Sequence, residues 1–224
     1  MIYTIINIKD EAKIKSKDSK YLIFIPSGKF HGWDKQTKDN EFFNSISELL
    51  NETYSIILLP FISKNDDKNS DDTFIESQYA ILKQFMLSNI SIFKSCTSLS
   101  FVSLSIGSHV LLKFLADESF SDIKPDRCIL ISLVLENKVD IYSDVSKLFL
   151  LYGSNDWVGY ISKENELKII SPDTYSKNTL NLLSTVKYTK KDAKILENHG
   201  HFLENSDTQS FVESSRITYQ TLIQ

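Results

Sequence analysis

The sequence predicts an α/β protein, a doubly wound and mostly parallel sheet with helices on both faces. Three observations predict it. Six short β-rich runs, most of them apolar on both sides, are spread along the chain, helical stretches lie between them, and all six glycines fall just after one of the runs. Strands that are apolar on both sides suit a parallel sheet covered twice by helices. Alternation of strand and helix implies parallel strands joined by right-handed crossovers. Glycines at strand ends mark the loops where such sheets bind ligands, because tight turns and close backbone approach are easiest there.

The elements follow in order. Residues 2–8 and 12–15 read as a short hairpin, with turn residues Lys9, Asp10 and Glu11 between them. The β-rich runs are 21–25, 54–59, 99–104, 128–135, 148–152 and 193–196. Helical patterns cover 41–51, 73–94, 106–117 and 208–222. Residues 163–186, with Pro172 and mixed polarity, read as helix plus a small lid or cover segment. The chain shows no internal repeat and no linker, so residues 1–224 are expected to form a single domain.

Composition narrows the function classes. With 42% apolar and 24% charged residues the chain can bury a substantial core. A net charge of −4 argues against a polyanion binder, which needs a basic surface to displace counterions. Nucleic acid is therefore not expected as a partner. The two cysteines, Cys96 and Cys128, form no CxxC pair, which leaves a disulfide framework or structural zinc unsupported and fits a reducing compartment. No apolar run reaches the roughly 18 residues of a membrane span, and the first residues reverse the order of a signal peptide. A cytoplasmic protein without a membrane span is the expectation.

The chemistry is concentrated at three loops. The apolar run 99–104 passes directly into a helical pattern through Ser103-Leu104-Ser105-Ile106-Gly107, a small-x-Ser-x-small turn. At so tight a strand-to-helix turn the apical residue is strained and exposed, and small flanking residues let strand and helix approach. Ser105 is the apex. The N–H of Ile106 and the helix dipole there can stabilise a developing oxyanion. The plainer alternative is a serine N-cap on an ordinary βα unit. A serine hydroxyl is a weak nucleophile and needs a base and an orienting carboxylate. The run 148–152 leads into Gly153-Ser154-Asn155-Asp156-Trp157, and 193–196 leads into Glu197-Asn198-His199-Gly200-His201. Asp156 read alone is an ordinary turn residue, and a His-Gly-His loop without a carboxylate cluster is weak evidence for metal.

These motifs, in the chain order Ser, Asp, His, resemble the α/β-hydrolase superfamily from about residue 21 to the C-terminus. The matching segments are SLSIG, LLYGSNDWVG and NHGHFLE. The resemblance implies a minimal-cap serine hydrolase with Ser105 as nucleophile, Asp156 as acid and His201 as general base, with His199 as the competing base. It also implies a carboxylic ester or thioester as substrate, an acyl-enzyme intermediate, and neither metal nor organic cofactor. A second oxyanion donor is expected after the run 21–25, where relatives often carry His-Gly. This chain has Pro26-Ser27-Gly28-Lys29, which points first to the N–H of Gly28 or Lys29.

Phe30, Trp33, Trp157 and Tyr160 flank these loops and are candidate walls of an acyl pocket. His109 is expected to pack or cap within its helix. The lysines at 187, 190, 191 and 194 read as a solvated face, with docking of an acidic carrier protein or anionic substrate as the alternative. Asp66, Asp67, Asp71 and Asp72 read as an exposed loop lacking the glycine and glutamate of a calcium site. The competing functional reading is a catalytically inactive binding protein that keeps the fold while its oxyanion loop has decayed.

Overall fold

The structure is a computed structural model that describes residues 3–5 (backbone only), 20–28, 31–33, 35–50, 53–59, 61, 71–156, 171–185 and 189–224. Along them run β1 (Tyr3–Ile5), β2 (Lys20–Ile25), α1 (Lys38–Leu50), β3 (Ser55–Leu58), α2 (Asp71–Ser88), α3 (Ile90–Ser95), β4 (Ser98–Leu104) and α4 (Ile106–Leu115). A 3-10 turn (Glu118–Phe120) follows. Then come β5 (Arg127–Ile131), β6 (Val139–Ile141), β7 (Lys147–Gly153), α5 (Pro172–Leu182), β8 (Leu183–Thr185), β9 (Lys190–Leu196) and α6 (Val212–Ile223).

Seven strands form one sheet in the order β1-β3-β2-β4-β5-β7-β9, and every neighbouring pair is parallel. The double-sided apolar runs explain it. In β2, Tyr21, Ile23 and Ile25 enter a core shared with α2 and α4, whereas Leu22 and Phe24 enter a second core shared with α1 and α6. Successive side chains alternate across a strand, so each run feeds two cores at once. The chain passes from β2 to β3 on one side and returns to β4 on the other. That reversal opens a crevice at the carboxyl ends of β2 and β4, the place where open parallel sheets bind ligands.

Several boundaries differ from the sequence-based expectation. β1 pairs in parallel with β3 and so extends the main sheet, while the other arm of the expected hairpin lies outside the described residues. The helix expected over 73–94 is divided at Asn89, whose backbone leaves helical geometry and whose amide donates to Phe85 O at 2.9 Å. The strand expected over 128–135 ends at Ile131 because Ser132 turns to φ 52°. The helix expected from 208 starts at Val212.

The two-stranded sheet of β6 and β8 was not foreseen. Within 163–186, residues 172–182 form α5, which Ser171 caps by accepting the Thr174 N–H and Pro172 opens. Tyr175 of α5 belongs to the same core as β7's Tyr152, so this part of the expected lid is a sheet-covering crossover helix. Residues 163–170 lie outside the described residues.

Candidate active site

The turn between β4 and α4 holds Ser105 at φ 53° and ψ −122°. A non-glycine residue in this region is strained by about 1–3 kcal/mol and persists only where its surroundings enforce it. They do so here. The Ser105 N–H donates to Ile131 O at 2.8 Å, and the Ser105 carbonyl accepts from Ser108 N at 2.8 Å. The Ser108 hydroxyl donates to Ile131 O, and Ser103 Oγ lies 3.1 Å from Ser108 Oγ. Gly107 sits against the end of β2, where a Cβ would come within 2.2 Å of Pro26 O. Only glycine lets the helix start so close to the strand.

Ser105 occupies the N-cap position of α4, yet its side chain makes no capping bond. Its Oγ lies 2.8 Å from His201 Nε2 instead. On the far side of the ring, His201 Nδ1 is 2.9 and 3.0 Å from the two carboxylate oxygens of Asp156. An ionised carboxylate only accepts hydrogen bonds, so the Nδ1 facing it carries the proton and Nε2 is free to accept from the serine hydroxyl. Asp156 is 1% exposed, shielded from water that would compete for this contact.

The acid and histidine loops are joined to each other. Ser154 N–H donates to Leu196 O at 2.8 Å, Asn155 N–H to His199 O at 2.9 Å, and Asn198 N–H to Ser154 Oγ at 2.8 Å. The Asn155 amide reaches Asn198 Oδ1 and Ser206 Oγ. Ser132, at the end of β5, donates its hydroxyl to His201 O at 2.7 Å. Phe202 meets the His201 ring edge-on at 5.1 Å, and Glu204 accepts the Phe202 N–H at 3.0 Å while pairing with Lys38. His199 takes a different place. It is fully buried, and its Nδ1 lies 2.7 Å from Glu197 O, where it serves to shape the loop.

Beside the elbow, the loop after β2 brings Gly28 against Ile106, so that a Cβ on Gly28 would lie 2.9 Å from Ile106 Cγ2. The Ser27 N–H is committed to Asp39 at 2.6 Å. Trp33 donates its indole N–H to Leu59 O at 2.7 Å and its ring lies 5.6 Å from Phe43. Lys29, Phe30, Trp157 and Tyr160 lie outside the described residues. His109 lines a groove with Asp72, Glu76 and Lys113, and burial holds its imidazole below the usual histidine range against the pull of Asp71, Asp72 and Glu136. Lys191, expected on a solvated face, donates to Leu180 O and Leu183 O at the end of α5. Among the described residues no group of three His, Cys, Asp or Glu side chains could hold a metal ion, and no helix is long and apolar enough to cross a membrane.

No protein-family model matches the chain, and no curated protein matches its sequence. Solved structures do match. Est1E from Butyrivibrio proteoclasticus, with ferulic acid bound, superposes with a TM-score of 0.58 over 96% of this chain and 92% of its own, at 10% identity. Thermogutta terrifontis esterase 2, phosphoramylated by tabun, also gives 0.58, over 95% of this chain and 86% of its own at 10% identity. A protein of unknown function from Agrobacterium tumefaciens, provisionally described as an alpha/beta hydrolase, gives 0.54 over 93% and 85% at 12% identity. The fold is that of the α/β-hydrolases. Within an α/β-hydrolase fold, the tight turn after β4 and the loops after β7 and β9 bring Ser105, Asp156 and His201 together at one edge of the sheet. These are the three residues the sequence motifs single out; Ser132, Asn155, Asn198, Glu204, Lys38 and Asp39, which hold the loops, are not singled out by them. Asn155, Asn198 and Glu204 sit inside the acid and histidine segments, but their cross-loop partners lie 43 to 166 residues away, as does the partner of Ser132, so these contacts carry no local signal.

Proposed function

We propose that the protein is a serine hydrolase that cleaves a small carboxylic ester or thioester through an acyl-enzyme on Ser105. The observation that carries this reading is the continuous chain of contacts from Ser105 Oγ to His201 Nε2 and from His201 Nδ1 to Asp156. As Oγ attacks the substrate carbonyl, the Oγ–H proton passes to Nε2 and the ring becomes imidazolium, which the buried carboxylate of Asp156 stabilises. The carbonyl oxygen gains negative charge opposite the Ile106 N–H and a second N–H donor from the loop after β2, with Gly28 the candidate among the described residues. Collapse of the tetrahedral intermediate breaks the bond to the leaving group, which takes the proton from Nε2. Water then attacks the acyl-enzyme with His201 again as base, releasing the acid and restoring Ser105. The structural likeness to esterases supports the same reading.

A fluorophosphonate probe tests it. Wild-type protein is expected to label and Ser105→Ala to remain unlabelled. Paired ester and thioester substrates of graded chain length, hydrolysed by wild type and not by Ser105→Ala, then define the leaving group. Failure of wild type to label or to turn over any of them would leave the inert binding protein as the surviving account.

A further inference from the structure

The first turn of α1 reaches both halves of the candidate site. Asp39 is 1% exposed, and its two carboxylate oxygens accept from the Ser27 N–H at 2.6 Å and the Ser27 hydroxyl at 2.9 Å. Its neighbour Asn40, also buried, donates its amide to Gly32 O at 2.9 Å and to Lys35 O at 2.5 Å. The loop between β2 and α1 is therefore gripped at Ser27 and again at Gly32 and Lys35. Gly28, the residue directly after Ser27, is the one that rests on Ile106 beside the reacting serine. Lys38, on the same turn, pairs with Glu204, which holds the Phe202 N–H next to His201.

Resting on the hydrolase reading above, we propose that Asp39 is a positioning residue that aims the second oxyanion donor by fixing Ser27. A buried carboxylate is costly to keep and an apolar residue of similar size would pack at less cost, so a carboxylate retained here needs a reason beyond filling space. The geometry supplies one. With the Ser27 N–H and hydroxyl both bound to Asp39, the entry to the loop is held on one side of Ser27, and Gly28, which carries the next N–H along the chain, is packed against Ile106 on the other. Oxyanion donors act by being set in place before charge develops. A loop free to rotate at Ser27 would give up that advantage without loosening the core.

Three variants test the proposal: Asp39→Leu, Asp39→Asn and Ser27→Ala, each measured for melting temperature, kcat, KM and the rate of fluorophosphonate labelling. Loss of a full oxyanion donor lowers kcat by about 100- to 1,000-fold, and misaiming one is expected to lower it by roughly 10- to 100-fold in Asp39→Leu. KM should stay within about twofold, since the donor acts on the transition state more than on the bound substrate. Asp39→Asn should recover most of the turnover, because the amide oxygen accepts the Ser27 N–H while the amide nitrogen donates to Ser27 Oγ. Should Asp39→Leu not fold, Ser27→Ala carries the test alone, with a severalfold fall in kcat and labelling rate at unchanged KM. A folded Asp39→Leu with wild-type kcat overturns the proposal. So do equal losses in Asn and Leu, or a Ser27→Ala enzyme that matches wild type. A wild type that neither labels nor turns over overturns the hydrolase reading itself, so the two failures are distinguishable.

Discussion

Gly153, the last residue of β7, lies so close to the histidine loop that a Cβ on it would come within 2.1 Å of His199 O and 2.4 Å of Gly200 O. Both obstacles are backbone atoms of a loop held by hydrogen bonds to the acid loop, so neither can step aside cheaply. Gly153→Ala should therefore destabilise by overpacking, typically about 1–3 kcal/mol. For a chain of this size that is a fall in Tm of roughly 2–12 °C. It should also slow fluorophosphonate labelling of Ser105, because the displaced loop carries His201. A thermal melt alongside a labelling time course checks both.

The two histidines should separate cleanly. On the proposed function, His201→Ala removes the base and is expected to cut kcat by about ten-thousandfold or more while leaving the melting temperature nearly unchanged. His199→Ala removes a buried ring bonded to Glu197 O, and should lower stability by about 1–3 kcal/mol while the folded fraction keeps most of its turnover. Turnover and urea unfolding of the two variants decide the matter. The reversed pattern would make His199 the base.

Asp39 gives stability a pH dependence of known sign. Burial pushes its carboxyl above the usual carboxylate range, and the two Ser27 hydrogen bonds together with the nearby His201 only partly offset this. A group whose folded pKa lies above its unfolded value binds more protons in the native state. Its contribution to stability is complete below the unfolded value of about 4 and is lost as pH rises through the folded one. Asp39→Asn, which mimics the protonated form, should thus gain in Tm relative to wild type between pH 4 and pH 7. Melts of the two proteins across that range test the sign.

The two thiols should differ in reactivity. Cys128 is fully buried on β5 and its thiol is pushed far up by desolvation, whereas Cys96 is part-exposed after α3, with a smaller rise of the same origin. Thiolate is the reactive form. A thiol reagent at pH 8 should modify Cys96 in the native protein and Cys128 only after unfolding. Titration with and without denaturant reads out one thiol and then two.

What the sequence disclosed was local. The double-sided apolar runs marked the strands of both cores, and small residues at 103 and 107 marked the elbow because steric crowding acts over a few residues. His201 stood out beside His199 through its immediate neighbours. The order of strands, the β6 and β8 pair, and the end of β5 at Ser132 were not legible, since each depends on partners far along the chain. The same holds for the grip of Asp39 on Ser27 across 12 residues and of Lys38 on Glu204 across 166. The indole N–H bond from Trp33 to Leu59 O, just after β3, was likewise not legible, because its partner lies 26 residues away.

The imidazole beside Ser105 arrives from 96 residues further along the chain, on a loop that exists only once β9 has paired with β7. A nascent or partly assembled chain would thus carry an inert hydroxyl, and reactivity would switch on with the docking of one edge strand. On the hydrolase reading, completing that edge of the sheet is also what arms the serine.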